Sequence, residues 1–224
     1  MTTYDELLEL SHNKFEQEIF PLLLNNQLIK KNTGFILHSF PRRLDRLELQ
    51  KKSIEYKIDL LHKHIDNGKT LQDFDKSILT DLVFILSQTI LGYFEIFKSY
   101  LENCLDLPKI LISDDNPSFN QMVKKLSEFK NCDGGLVFHY DGLRKFFNMD
   151  VRNTLIHDSW WLNENFEFTF EELDGTVISF NIGELHGELA GINAIVFAFA
   201  ENYVKSFDSL NYQNMKHTYP QLFR

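Results

Sequence analysis

Leu82-Val-Phe-Ile-Leu-Ser-Gln-Thr-Ile-Leu-Gly-Tyr-Phe-Glu-Ile-Phe-Lys-Ser-Tyr-Leu101 decides the fold class. Leu82, Leu86, Ile90, Phe94, Phe97 and Leu101 recur every three or four residues, which draws one apolar stripe along a helix. Ser87, Glu95, Lys98 and Glu102 fall off that stripe. The spacing predicts a helix over about Leu71–Cys104, ended before Pro108. The same stretch is the most apolar in the chain, yet Ser87, Gln88, Thr89, Gly92 and Glu95 interrupt it. A membrane span needs about 20 mostly apolar residues, so a buried core helix is expected.

Neighbouring segments read the same way. Thr2 or Thr3 can cap a helix to about Leu28. A second helix is expected from about Pro41 to Asp66, with Asn67-Gly68 after its end. Asp114-Asp115-Asn116-Pro117 is a turn, and Ser118 can start a short helix to about Phe129. A further helix is predicted over Tyr140–His157, with Leu143, Phe147, Val151 and Leu155 facing the core. Past Trp161 the period changes from helical to alternating. Phe166, Phe168 and Phe170, the turn Asp174-Gly175, and Thr176–Phe180 predict a short β-hairpin. Asn181 with Glu184 resembles a capping box. It opens a last helix to about Phe207, with Leu185, Leu189, Ile192, Val196, Phe199 and Tyr203 as its stripe. The expected fold class is all-α, a bundle of about five to six helices with a small hairpin before the last. The chain reads as one domain over 1–224, with a core at about 71–207 and N-terminal helices at 1–68 packed on it.

Composition sets the function classes. The chain has 224 residues, 43% of them hydrophobic, and 21 Phe, enough for a sizeable core. A formal net charge of −9 argues against coating a long nucleic-acid duplex but permits a small basic site. Cys104 and Cys132 make no disulfide framework, so a reduced, cytoplasmic setting is expected. The acidic start is unlike a signal peptide.

The chemistry-bearing stretch is Asp150-Val-Arg-Asn-Thr-Leu-Ile-His-Asp-Ser-Trp-Trp161. Arg152 stays charged at any working pH and can bind a phosphate through two parallel hydrogen bonds. His157 can give or take a proton near neutrality. Asp150, Asn153 and His157 share one helix face, whereas Arg152 lies 100° round from Asn153 on an ideal helix. A bland alternative is that Arg152 and His157 only complement the helix C-terminus, where cations interact favourably with the dipole.

Arg152-Asn153-Thr154-Leu155-Ile156-His157, after a long core helix and before a hairpin and closing helix, resembles the HEPN superfamily (higher eukaryotes and prokaryotes nucleotide-binding). Its signature is Arg-x4-6-His. The resemblance covers about Leu71–Phe207. It implies a metal-independent endoribonuclease in which two protomers bring their motif helices together, in defence, toxin–antitoxin or stress biology. His157 would act on the ribose 2′-hydroxyl or the leaving oxygen, Arg152 would hold the scissile phosphate, and Asn153 would orient either group. The resemblance implies no cofactor and no metal. It implies RNA as the substrate, a homodimer as the assembly, and room for a cognate antitoxin or regulatory protein as a further partner. HEPN toxins controlled by a nucleotidyltransferase often carry Tyr two residues after the His; Ser159 stands there, so AMP transfer at that position is not expected. The competing class is a catalytically silent HEPN-like module for dimerisation or for binding a nucleotide or partner.

Other features are weaker. His62 and His64 point about 200° apart on a helix, which suits a solvated face better than one metal. Arg42, Arg43, Arg46, Lys51 and Lys52, diluted by Asp45 and Glu48, fit either RNA contact or a solvated face. Gly183, Gly187 and Gly191, four apart, suggest close approach by another element, inside the bundle or across a dimer. Trp160 and Trp161 can line a dimer contact or be buried in their own subunit.

Overall fold

A computed structural model describes residues 20–25, 27–31, 33–106, 149–172 and 174–207, with isolated positions at 9, 13, 16, 17, 213 and 217. The expected helix over 118–129, Cys132, Leu143, Phe147, and most of the first helix and of the C-terminal tail lie outside these. The described chain is mostly helical, with a small antiparallel sheet before the last helix. Its elements are α1 (Phe20–Asn25), α2 (Thr33–Asp66), α3 (Lys76–Cys104), α4 (Met149–Ile156), β1 (Trp160–Leu162), β2 (Phe168–Glu171), β3 (Val177–Phe180) and α5 (Ile182–Phe207).

Three boundaries differ from expectation. Helix α2 begins at Thr33, so Pro41 lies inside it. An interior proline costs about 3 kcal/mol, but Ile36, Phe40, Leu44 and Leu47 keep helical spacing through it, and the last two are buried. Leu71–Asp73 is a separate 3-10 turn, and α3 starts at Lys76. Thr70 donates its backbone N–H and hydroxyl to Asp73 Oδ2 at 3.2 and 2.7 Å. Ser77 does the same to Asp75 Oδ1 at 2.9 and 2.7 Å. These side-chain bonds compete with helix here and hold both carboxyls below their usual range. The expected hairpin is a three-stranded meander, because Trp160–Leu162 adds a strand paired with Phe168–Phe170.

The described residues divide into two compact units. One contains α1, the start of α2, the C-terminal part of α3 and most of α5. Phe199 is its hub: Phe20, Phe97, Tyr100 and Tyr203 all pack on its ring at centroid distances of 5.3 to 6.2 Å. Segment 28–30 clips onto the end of α3, with Lys30 N–H donating to Cys104 O at 2.8 Å and Asp106 N–H to Leu28 O at 2.7 Å. Tyr203 donates its hydroxyl to Lys30 O. Cys104 is fully buried there, and burial pushes its thiol up to about 12.

The other unit holds the rest of α2 and α3, α4, the sheet and the start of α5. Here α2 and α3 approach closely at Gly92, where a Cβ would lie 2.6 Å from Leu47 Cδ2. His64 closes the end of α2, its Nε2 bonded to Thr70 O at 3.1 Å and its ring edge-on to Phe74. Strand order is β1-β2-β3. Trp160, Phe170 and Ile178 form one row, and Leu162, Phe168 and Phe180 the next. Period-two alternation puts both rows on one face. Trp160 stacks on Phe168 at 5.0 Å, and Phe170 on Phe180 at 6.2 Å.

Every residue named for the stripes of α3 and α5 is at most 3% exposed. Among the described residues, α3 is long and apolar enough to cross a membrane, but half of its most apolar window is buried within the fold, which a core helix also shows. Inside it Ser87 donates to Val83 O at 2.8 Å and Thr89 to Ile85 O at 2.7 Å, satisfying both hydroxyls. The capping box is present: Asn181 N–H donates to Glu184 Oε2 at 2.8 Å and Glu184 N–H to Asn181 Oδ1 at 3.0 Å.

Candidate active site at the end of the motif helix

Helix α4 packs through Val151 and Leu155, 0% and 4% exposed. That anchoring fixes where the polar residues between them emerge. Arg152 is buried, with 8% of its surface exposed. Its Nη1 donates to Asn153 Oδ1 at 3.4 Å, a long hydrogen bond. Asn153 is half-buried. The Asn153 amide oxygen is thus one hydrogen-bond partner of the guanidinium.

His157 lies in the turn just past the last helical residue, Ile156, and is exposed. Its backbone N–H still closes on Asn153 O at 3.0 Å. The chain then reverses. Asp158 takes a left-handed conformation, φ 50°, which Asp tolerates better than bulky residues do. Ser159 N–H returns to Thr154 O at 3.1 Å, the outer bond of a Schellman-type helix end. Ser159 thus serves the cap.

Arg152 and Asn153 are brought together; His157 is displayed beyond them in a different environment. A positive, oriented donor and a solvent-accessible imidazole occupy successive turns of one helix end. Chemically the pair can neutralise a phosphate and move a proton.

The remaining sequence candidates fall elsewhere. Arg43, Arg46 and Lys52 are all exposed, and Arg43 Nη1 donates to Ser99 Oγ at 3.0 Å. His64 serves the α2 terminus and His62 is exposed. Among the described residues no group of three or more His, Cys, Asp or Glu is placed to hold a metal. Within the chain, no other element closes on the glycine row at two positions among the described residues. Among the described residues, nothing lies within 4 Å of a Cβ built on Gly187, and a Cβ on Gly183 would meet Asn181 Oδ1 of the cap at 3.2 Å. The row faces outward there because α5 packs through the stripe containing Leu185 and Leu189.

Sequence reading missed a cleft of about 380 Å³ in the second unit. Leu61, Leu71, Phe166 and Ile182 form its apolar part and Gln72 and Glu167 part of its polar lining. Phe166 sits at φ 59°, imposed by the β1–β2 turn, where Asn163 Oδ1 accepts from the backbone N–H groups of Asn165 and Glu167 at 2.9 and 3.0 Å. No motif residue lines this cleft. A positive φ at Phe has no residue-level signature, so the sequence could not announce it. The chain matches no protein-family model, no curated protein and no solved structure.

Proposed function

We propose that this chain is a metal-independent endoribonuclease of HEPN type, working as a homodimer in the cytoplasm in defence, toxin–antitoxin or stress biology. The observation that carries the reading is the end of α4. Arg152 is steadied by Asn153 at 3.4 Å, and His157 is exposed directly after it. In the reaction the ribose 2′-oxygen attacks phosphorus and the P–O5′ bond breaks. The 2′-proton leaves to a base and the 5′-oxygen gains one, so the ends are a 2′,3′-cyclic phosphate and a 5′-hydroxyl. His157 handles one of these protons, and Arg152 stabilises the charge that builds on the phosphoryl oxygens. One motif supplies one imidazole and one guanidinium. Two-fold pairing of motif helices supplies two of each, and isologous dimers are the commonest assembly.

Cleavage in EDTA with cyclic-phosphate ends, read by mass spectrometry, is the expected result; an absolute need for Mg²⁺ defeats it. An inactive His157→Ala chain mixed with an inactive Arg152→Ala chain regains activity if the cleft is shared. A second reading has its own support. With 8% exposure, Arg152 is more enclosed than a phosphate ligand needs to be, which favours a silent module that binds a partner protein or nucleotide. A folded dimer that binds RNA but never cuts it is that reading's signature.

A further inference from the structure

The cleft of about 380 Å³ in the second unit is lined by more acceptors than donors. Among the described residues its charged side chains are two carboxylates, Glu164 and Glu167, with no Lys or Arg. A carboxylate only accepts hydrogen bonds, and the amides of Gln72 and Asn165 can accept as well. Glu167 is half-buried and held in place. Asn163 Nδ2 donates to its Oε2 at 2.7 Å, and Asn163 N–H to its backbone O at 3.2 Å. Among the described residues, Glu167 Oε1 and both oxygens of the exposed Glu164 accept no hydrogen bond. Phe166, between the two acids in sequence, adds an aromatic wall. Its ring already draws an ammonium: Lys76 Nζ lies 5.8 Å from the centroid, within cation–π reach. Asp73 and Glu184, next in sequence to lining residues, are acidic too, but Thr70 and Asn181 engage them.

We propose that this cleft binds a short aliphatic polyamine, its ammonium groups on Glu164 and Glu167 and its methylene stem against Leu61, Leu71 and Ile182. The inference goes beyond the nuclease reading and shares no residue with it. An ammonium carries three donors and no acceptor, the complement of an acceptor-only carboxylate, and such charge-assisted bonds are the strong ones. The aromatic wall favours a cation as well. Other occupants fit worse. A phosphate or carboxylate ligand would meet two like charges. A wholly apolar ligand would strip water from the half-buried Glu167 and give its Oε1 nothing in return. Among the described residues no group of three or more His, Cys, Asp or Glu is placed to hold a metal. At about 380 Å³ the cleft stands at the small end of ligand sites, roughly 300–1,000 Å³, which suits a compact molecule. Leu61, buried, closes its inner end, while exposed Glu164 and Asn165 leave a way in.

Isothermal titration of the full-length chain with 1,4-diaminobutane, at low salt after dialysis against EDTA, tests this. One-to-one saturation is expected. Glu167→Gln, which keeps an oxygen for Asn163, should weaken binding about 10- to 150-fold. Glu164→Gln, at an exposed position, should weaken it about 2- to 5-fold. Lys76→Met removes a competing ammonium and keeps the stem, so it should tighten binding about 2- to 5-fold. Phe166 sits at φ 59°, an angle that glycine adopts freely. Phe166→Gly should therefore weaken binding about 2- to 5-fold through the lost ring while circular dichroism shows the fold kept. Asp45→Asn is the control for general attraction to an acidic chain, since Asp45 is exposed and about 24 Å along α2 from Leu61; it should bind like wild type. Nα-acetyl-lysine methylamide, with one ammonium, should bind more weakly than the diamine. Failure to saturate by millimolar diamine overturns the proposal. So do unchanged affinity in both Gln variants and an equal loss in Asp45→Asn. Equal binding of the lysine amide would assign the cleft to a protein lysine and overturn it too. RNA cleavage is not read in any arm, so the nuclease proposal stands or falls separately.

Discussion

Two glycines on core helices should respond in opposite ways to the same added methyl group. Replacing glycine by alanine inside a helix gains about 0.8–1 kcal/mol through backbone entropy. At Gly187 the new Cβ meets nothing within 4 Å among the described residues, so Gly187→Ala should stabilise by nearly that full amount. For a chain of this length 1 kcal/mol corresponds to about 2–4 °C in Tm. At Gly92 the same gain is opposed. The Cβ would sit 2.6 Å from Leu47 Cδ2, and Leu47 is 5% exposed, with little room to retreat. Overpacking of this kind costs about 1–3 kcal/mol, so Gly92→Ala should be neutral to about 2 kcal/mol destabilising. Because the backbone gain cancels between the two variants, their difference isolates the Leu47 contact. Urea denaturation followed by circular dichroism measures it. In a Leu47→Ala background the penalty at Gly92 should vanish and the substitution become stabilising. Equal stabilisation by both alanines would refute the close approach of α2 and α3. Destabilisation at Gly187, growing with protein concentration, would show that a second copy packs on the glycine row.

Two further outcomes follow from buried groups. Burial holds His186 below its usual 6.5, with Lys51 and His62 acting the same way and Glu55 opposing them. Above 6.5 the imidazole is neutral folded or unfolded; below it the unfolded chain takes up a proton first, so stability falls as the pH drops. His186→Gln should flatten that fall in urea midpoints between pH 7.5 and 5.5, and an unchanged slope would exclude His186 as its source. Cys104, with its thiol pushed up to about 12 by burial, should resist iodoacetamide at pH 8 until urea unfolds the chain; rapid labelling of the native protein, read by peptide mass, would contradict that placement.

The long helices were legible because their apolar period survives folding unchanged. Each of Leu82, Leu86, Ile90, Phe94, Phe97 and Leu101 is buried. The capping box at Asn181 was legible because its geometry is local. Strand β1 was not: Trp160–Leu162 is only three residues long and takes its form from pairing with β2, a partner no local period reveals. The Gly92 contact was hidden for the same reason, since Leu47 is 45 residues away in sequence. The glycine row was legible only as a shared face, because regular spacing says which residues line up, not what covers them. At the candidate site the order Arg152, Asn153, His157 was readable, and so was their poor alignment. Their contrasting exposure was not, since it depends on the helix ending at Ile156 and reversing through Asp158.

The most direct test of the functional account is the RNA cleavage rate of folded His157→Ala and Arg152→Ala proteins, measured in EDTA beside the wild type, with circular dichroism confirming the fold. Losing a general acid–base group typically costs 10²–10⁴-fold in rate. The account predicts a loss of about that size for His157→Ala, with Arg152→Ala also severely impaired through the loss of phosphate charge stabilisation. Wild-type rates in either folded variant would contradict it.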